Sequence, residues 1–108
     1  MWLFYISYFF GGVFLTNSIP HVVNGTMGRA FQTPFAKPPG KGLSSSTVNV
    51  VWGVFNVVMG YVLICRVGAF DLRSWDGALA AGLGGLAMAV FSARTFGELH
   101  GGNSPSRL

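Results

Sequence analysis

Residues 75 to 97 read WDGALAAGLGGLAMAVFSARTFG. Within them Gly77, Ala81, Gly85, Ala89 and Ala93 recur at every fourth position. Positions four apart stack along one face of an α-helix, so the pattern predicts a helix with a groove almost free of side chains. Leu79, Leu83, Leu86, Val90 and Phe91 cover much of the remaining surface, and no charge falls between Gly77 and Ala93. Such a helix is poor in water, where Gly weakens it and nothing polar solvates it. In lipid, apolar burial no longer draws helices together, and small-xxx-small grooves let two backbones approach closely. The stretch reads as the packing spine of a membrane protein.

The whole chain agrees with that reading. Of its 108 residues 51% are hydrophobic and only 9% charged, against roughly 25% charged in soluble domains. A chain this short has too little interior to hide so much apolar surface. The excess lies in three blocks, Trp2 to Ile19, Thr47 to Cys65 and Gly77 to Ala93, separated by Gly- and Pro-containing connections that hold nearly all the charges. Extended by a turn, each block is long enough to cross a hydrocarbon core of about 30 Å. The expected fold is all-α, a single transmembrane domain with spans near 2–23, 46–66 and 75–97 and a mobile tail over 101–108.

The net charge of +4 does not point to nucleic acid, because the basic residues are dispersed beside the apolar blocks. Arg29, Lys37 and Lys41 lie in the first connection, and Arg94 and Arg107 flank or follow the third block. Arg66 and Arg73 lie in the second connection beside Asp71 and Asp76. The positive-inside rule then puts the first connection and the C-terminus in the cytoplasm, and the N-terminus and second connection outside. This is the expected topology of a bacterial inner-membrane protein. The first block lacks a basic leading region and a small-x-small cleavage site, so it reads as a retained span. The single cysteine, Cys65, excludes an intrachain disulfide and a cysteine-based zinc site.

Taken in order, the first span opens on Trp2, Phe4, Tyr5, Tyr8, Phe9 and Phe10, an aromatic cluster suited to the headgroup level. Ser7, Gly11 and Ser18 share a face and offer a second narrow seam. Pro20 either kinks this helix or marks its exit. Residues 24–46 are long for a connection, and such segments are often functional or disordered. Their prolines exclude a continuous helix, and Phe31 and Phe35 place part of the segment at the membrane interface. A short half-span there is an alternative. Asn24-Gly25-Thr26 matches a glycosylation sequon on the cytoplasmic side, where the match is chance. Ser44 to Thr47 supply N-caps for the second span. There Asn49, Gly53, Asn56 and Gly60 share one face, which must look into protein, either this chain or a neighbouring copy.

Three alternating spans bring Asn17, His21, Asn49, Asn56, Arg94, Glu98 and His100 to one end, with Arg29, Lys37 and Lys41 overhead. This is the candidate site. It reads as a polar vestibule for an ion, a small anion or a lipid headgroup, with His21 and Glu98 as proton-exchanging groups. The plainer reading makes each Asn a link between helices, leaves His21 and His100 in interfacial water, and pairs Arg94 with Glu98. No metal pattern and no haem pair are encoded, and Met27, Met59 and Met88 form no cluster. Gly40-Lys41-Gly42 before Ser44 to Ser46 has the wrong spacing for a phosphate loop. Lys41 and the start of the second helix nonetheless suit an anion such as lipid phosphate. No nucleophile–base pair, carboxylate dyad or cofactor fingerprint is present, so no cofactor and no enzyme activity are expected.

Three functions follow, in order of preference. The first is an oligomeric channel or transporter for a small solute or ion, its shared interface lined by Asn49, Asn56 and the groove at Gly85. The second is a non-catalytic accessory subunit of a larger membrane complex. The third is a protein that binds or modifies lipid headgroups through Arg29, Lys37 and Lys41. The seams at Gly53, Gly60 and Gly77 to Ala93 exceed what a monomer uses, so a homo-oligomer or complex subunit is expected.

Overall fold

The first helix, not the third, is the hub of the molecule. A computed structural model describes residues 1–107, and Leu108, the end of the expected mobile tail, lies outside the described residues. Helix α1 (Trp2–Thr26) is followed by two short strands, β1 (Phe31–Gln32) and β2 (Leu43–Ser44). Helix α2 (Ser46–Cys65), helix α3 (Trp75–His100) and a 3-10 turn (Pro105–Arg107) complete the chain. Each of the three helices is long and apolar enough, by length and composition, to cross a membrane. Both α2 and α3 pack along α1, whereas α2 and α3 scarcely meet.

Small residues set these contacts. At the α1–α2 seam the Ser7 hydroxyl donates to the Leu63 carbonyl at 2.6 Å, and a Cβ added at Gly53 would lie 2.9 Å from the Val22 backbone nitrogen. At the α1–α3 seam a Cβ on Gly12 would strike the Ala81 carbonyl, and one on Gly84 would strike the Phe9 carbonyl. The every-fourth stripe of α3 is thus used only in part. Ala81 and Gly85 face α1 together with Gly84, while Gly77 packs on the Phe70 ring of the second connection. Ala89 and Ala93 are exposed. The heptad-like drift of a 3.6-residue helix explains this: a strict four-residue stripe winds off the contact line, and Gly84 takes up the register.

Helix α1 runs through Pro20 and ends six residues later. Side chains bond the last turns locally: the Asn24 amide donates to the Pro20 carbonyl at 2.8 Å and the Thr26 hydroxyl to the Val22 carbonyl at 2.6 Å. The long connection folds as a short hairpin rather than a helix. Phe31 pairs with Ser44 and Gln32 with Leu43 in an antiparallel hairpin, and the Ser45 hydroxyl then caps α2 by accepting from the Val48 amide at 3.2 Å. Helix α3 extends to His100 and stops at Gly101, whose φ of 84° suits a residue without Cβ. Asn103 folds back and donates to the Arg94 carbonyl at 2.9 Å, so the described part of the tail is tied to α3.

The pattern of burial is inverted relative to a water-soluble domain. The largest fully enclosed side chains are Asn49, Asn56 and Thr33, while Val51, Val54, Phe55 and Val58 of α2 and Leu79, Leu83, Leu86 and Val90 of α3 stand exposed. An apolar exterior around a polar, small-residue interior is the arrangement that hydrocarbon surroundings favour.

Candidate functional site

Beside the Ser7–Leu63 bond, two side-chain pairs join α1 to α2. The Asn17 amide donates to Asn56 Oδ1 at 3.0 Å, and the Asn56 amide donates to the Trp52 carbonyl at 2.7 Å. One turn nearer the hairpin, His21 Nδ1 lies 2.7 Å from Asn49 Oδ1. The Asn49 amide nitrogen faces three carbonyl oxygens, those of Phe31 at 3.1 Å, Ser44 at 3.2 Å and Ser45 at 3.0 Å. That fixes the amide: its oxygen must face His21, so His21 Nδ1 carries the proton and Nε2 is left as an acceptor. The helical spacing of Asn49 and Asn56 places both on the α1-facing side, which is why two residues so costly to bury are tolerated there.

The hairpin closes this end of the molecule. Phe31 is buried, edge-on to His21 with ring centres 5.7 Å apart and stacked on His100 at 5.4 Å. Phe96 completes the cluster 4.7 Å from Phe31. His100 Nε2 lies 2.9 Å from Gln32 Oε1, and the hydroxyls of Thr33 and Ser44 bond each other.

Because α2 and α3 do not close on each other, a cleft of about 310 Å³ remains between them. Asn17 and His21 of α1 form its floor, Trp52 of α2 and Met88, Phe91, Thr95 and Phe96 of α3 form its walls, and Gln32 to Pro34 with Pro39 and Gly40 form its roof. No Lys, Arg, Asp or Glu lines it. Trp52, which also lines a second hollow with Phe35, Val51 and Phe55, has a buried Nε1–H that makes no hydrogen bond among the described residues. A site with an apolar lining and a few convergent polar groups suits a small uncharged molecule with an apolar body.

Of the residues expected from sequence, Asn17, His21, Asn49 and Asn56 come together, and His100 joins them through Phe31 and Gln32. His100 is the last residue of α3. Arg94 and Glu98 are exposed and do not line the cleft, and Arg29, Lys37 and Lys41 are exposed around it. Asn49 and Asn56 are wholly enclosed within one chain. Both face their own α1, to which Asn17 and His21 bond them. Among the described residues no three His, Cys, Asp or Glu side chains gather closely enough to hold a metal ion.

Sequence reasoning missed Trp52, Gln32, Thr33, Thr95 and Phe96. Trp52 sits three residues after Asn49 and four before Asn56, so its place beside the polar face was encoded in the spacing. Gln32 and Thr33 carried no such signal, because a hairpin folding back under a helix end has no periodicity to read. Comparison of the chain with protein-family models, curated proteins and solved structures finds no match.

Proposed function

We propose that the chain is an integral membrane protein of three spans that binds a small uncharged molecule in the cleft between α2 and α3. The carrying observation is the cleft itself, an uncharged hollow of about 310 Å³ whose lining includes His21, Asn17 and Trp52, the last with a buried Nε1–H that makes no hydrogen bond among the described residues. At the neighbouring α1–α2 links each Asn and His side chain has a partner, and a buried donor without one costs about 1–3 kcal/mol. In this reading the N-terminus and second connection lie outside and the hairpin lies at the cytoplasmic surface. Exposed Arg29, Lys37 and Lys41 there contact anionic headgroups without entering the cleft.

The test is to purify the protein in mild detergent, measure it by native mass spectrometry, and identify small molecules released on denaturation. A bound species retained by the wild type and lost from Thr95→Phe, which fills the cleft, supports the reading. An identical mass spectrum for both proteins overturns it.

A second reading is assembly with another copy. Exposed Ala89 and Ala93 lie on an outer groove between α1 and α3, and Ser92 Oγ is buried there without a hydrogen bond among the described residues. Small exposed residues suit close approach by a second helix. The same mass spectrum decides it: a dimer dispersed by Ala93→Leu supports assembly through this groove, and a monomer sinks it.

A further inference from the structure

A separate, polar hollow of about 290 Å³ opens at the end of the molecule opposite the hairpin. It lies between the start of α1, the second connection and the first turn of α3. Phe4, Tyr5 and Tyr8 line it together with Asp71, Ser74 and Asp76, and no Lys, Arg or His does. Met1, 73% exposed, stands at its edge. The Tyr5 hydroxyl donates to Asp76 Oδ2 at 2.8 Å and the Ser74 hydroxyl to Asp76 Oδ1. The Arg73 backbone N–H donates to Asp71 Oδ1 at 2.9 Å. All three donors are uncharged. Two carboxylates thus share the hollow with no cation bonded to either.

Tyr8 is an independent sign of a ligand. It is 4% exposed and packs edge to face with Tyr5 and Phe70, ring centres 6.1 and 5.0 Å away. Its hydroxyl stands beside Gly68, where an added Cβ would lie 2.7 Å from it, next to the Ala69 of the lining. That hydroxyl bonds no group among the described residues. It is not sealed off either, since the sealed and unbonded side-chain atoms are Trp52 Nε1 and Ser92 Oγ. The Tyr8 oxygen is therefore open to a small molecule in the hollow that Tyr8 lines.

The lining selects by charge. An anion meets two carboxylates and no positive side chain. A metal ion finds no three acidic, thiol or imidazole side chains gathered to hold it. A neutral molecule leaves both carboxylates uncompensated. An ammonium group answers each feature, because carboxylates balance its charge and aromatic faces attract its methyl or methylene groups. We propose that the hollow binds the ammonium group of a small organic cation, free or carried on a lipid headgroup. Asp71 and Asp76 supply the charge, the Tyr8 oxygen an acceptor, and Phe4 and Tyr5 the aromatic walls.

The full-length protein, with isotopically labelled tyrosine rings, is titrated by NMR in a neutral detergent. The probes are choline and the alcohol in which a carbon atom replaces its nitrogen. Tyr5 and Tyr8 report the hollow, and Tyr61, half-exposed on α2, reports non-specific association. The expected result is a saturable shift of Tyr5 and Tyr8 with choline, Tyr61 unmoved, and binding of the uncharged isostere weaker by about five-fold or more. Asp71→Asn keeps an oxygen for the Arg73 N–H, removes one charge, and is expected to weaken choline to a similar extent. Tyr8→Phe, followed through Tyr5, is expected to weaken it about two-fold or more. Should that variant fail to fold, Asp71→Asn and the choline–isostere ratio decide. Nanodiscs of phosphatidylcholine separate the two sources. Tyr5 and Tyr8 already at their choline-bound positions before any choline is added identify the lipid headgroup. Free positions that choline then moves identify a soluble cation. Equal binding of choline and its isostere, choline binding unchanged in Asp71→Asn, or no shift of Tyr5 and Tyr8 apart from Tyr61 overturns the proposal.

Discussion

His21 Nδ1 donates to Asn49 Oδ1 across 2.7 Å, between two side chains that are 2% and 0% exposed. This one contact ties α1 to α2, and through the three carbonyls bound by the Asn49 amide it also ties both helices to the hairpin. Asn49→Leu removes the hub and leaves His21 and the carbonyls of Phe31 and Ser44 to find new partners. The expected loss is about 2–3 kcal/mol, from the cost of buried groups left unsatisfied. Reversible unfolding in mixed detergent measures it. Asn49→Asp is expected to be worse, since a carboxylate facing three carbonyl oxygens repels where the amide donated. An Asp variant as stable as the wild type would mean that the amide is not oriented as described.

The Asn17–Asn56 bond is a cleaner case, because each residue has few other partners. Substituting each by Leu, singly and together, gives a double-mutant cycle. A coupling of about 0.5–1.5 kcal/mol is expected, the range for side-chain hydrogen bonds between membrane helices. Additive losses in the same unfolding assay would deny the pair any role in joining α1 to α2.

Three glycines of similar sequence context separate close approach from mere smallness. A Cβ at Gly84 or Gly12 meets backbone of the facing helix, whereas one at Gly82 meets nothing within 4 Å. Gly84→Ala and Gly12→Ala are expected to cost about 1–3 kcal/mol each, as overpacked substitutions do. Gly82→Ala is expected to be neutral or to stabilise by up to about 1 kcal/mol, the helix-propensity gain of Ala over Gly. The order of the three midpoints is the readout, and a Gly84→Ala variant no less stable than Gly82→Ala would contradict the α1–α3 packing.

The helices were legible because apolar runs and every-fourth small residues are local signals. The polar face of α2 was legible for the same reason, and Asn49 and Asn56 meet α1 as their spacing required. The hub was not. The stripe at Gly77 to Ala93 is the more regular pattern, yet α1, whose small residues are interrupted by Phe14 and Leu15, touches both other helices. A helix with two contact faces spreads its small residues around the axis and blurs any single stripe. The cleft was beyond reach, since it exists through the failure of α2 and α3 to meet and through a hairpin with no periodicity. Arg94 and Glu98 were assigned by depth alone, and depth does not say which side of a helix a residue occupies.

Cys65 allows the orientation to be tested without foreign labels. It is the single cysteine of the chain, exposed, and the last residue of α2. With the second connection outside, a membrane-impermeant maleimide added to intact cells is expected to label it. In a Cys65→Ser background, Lys41→Cys in the hairpin connection is expected to react only after permeabilisation. The reverse pattern would invert the topology, and labelling of both positions in intact cells would deny that α2 spans the membrane.

The contact of His100 with the hairpin decides how readily the cleft opens at its roof. His100 stacks on Phe31 with the rings 2° from parallel and meets Gln32 at 2.9 Å. It is itself exposed at the end of α3, so water reaches Gln32 once the imidazole is gone. The loss in His100→Ala is therefore that of one neutral hydrogen bond and one ring contact, about 1 kcal/mol. Global stability is expected to change little, because Phe31 keeps Phe96 and the Asn49 amide keeps the Phe31 carbonyl. Local opening of the hairpin is expected to rise about five-fold, the equivalent of that energy. Hydrogen exchange of the backbone amides over residues 31–44 reads this directly. Faster exchange confined to that segment is the expected outcome, and exchange unchanged there would mean that α3 does not hold the roof in place.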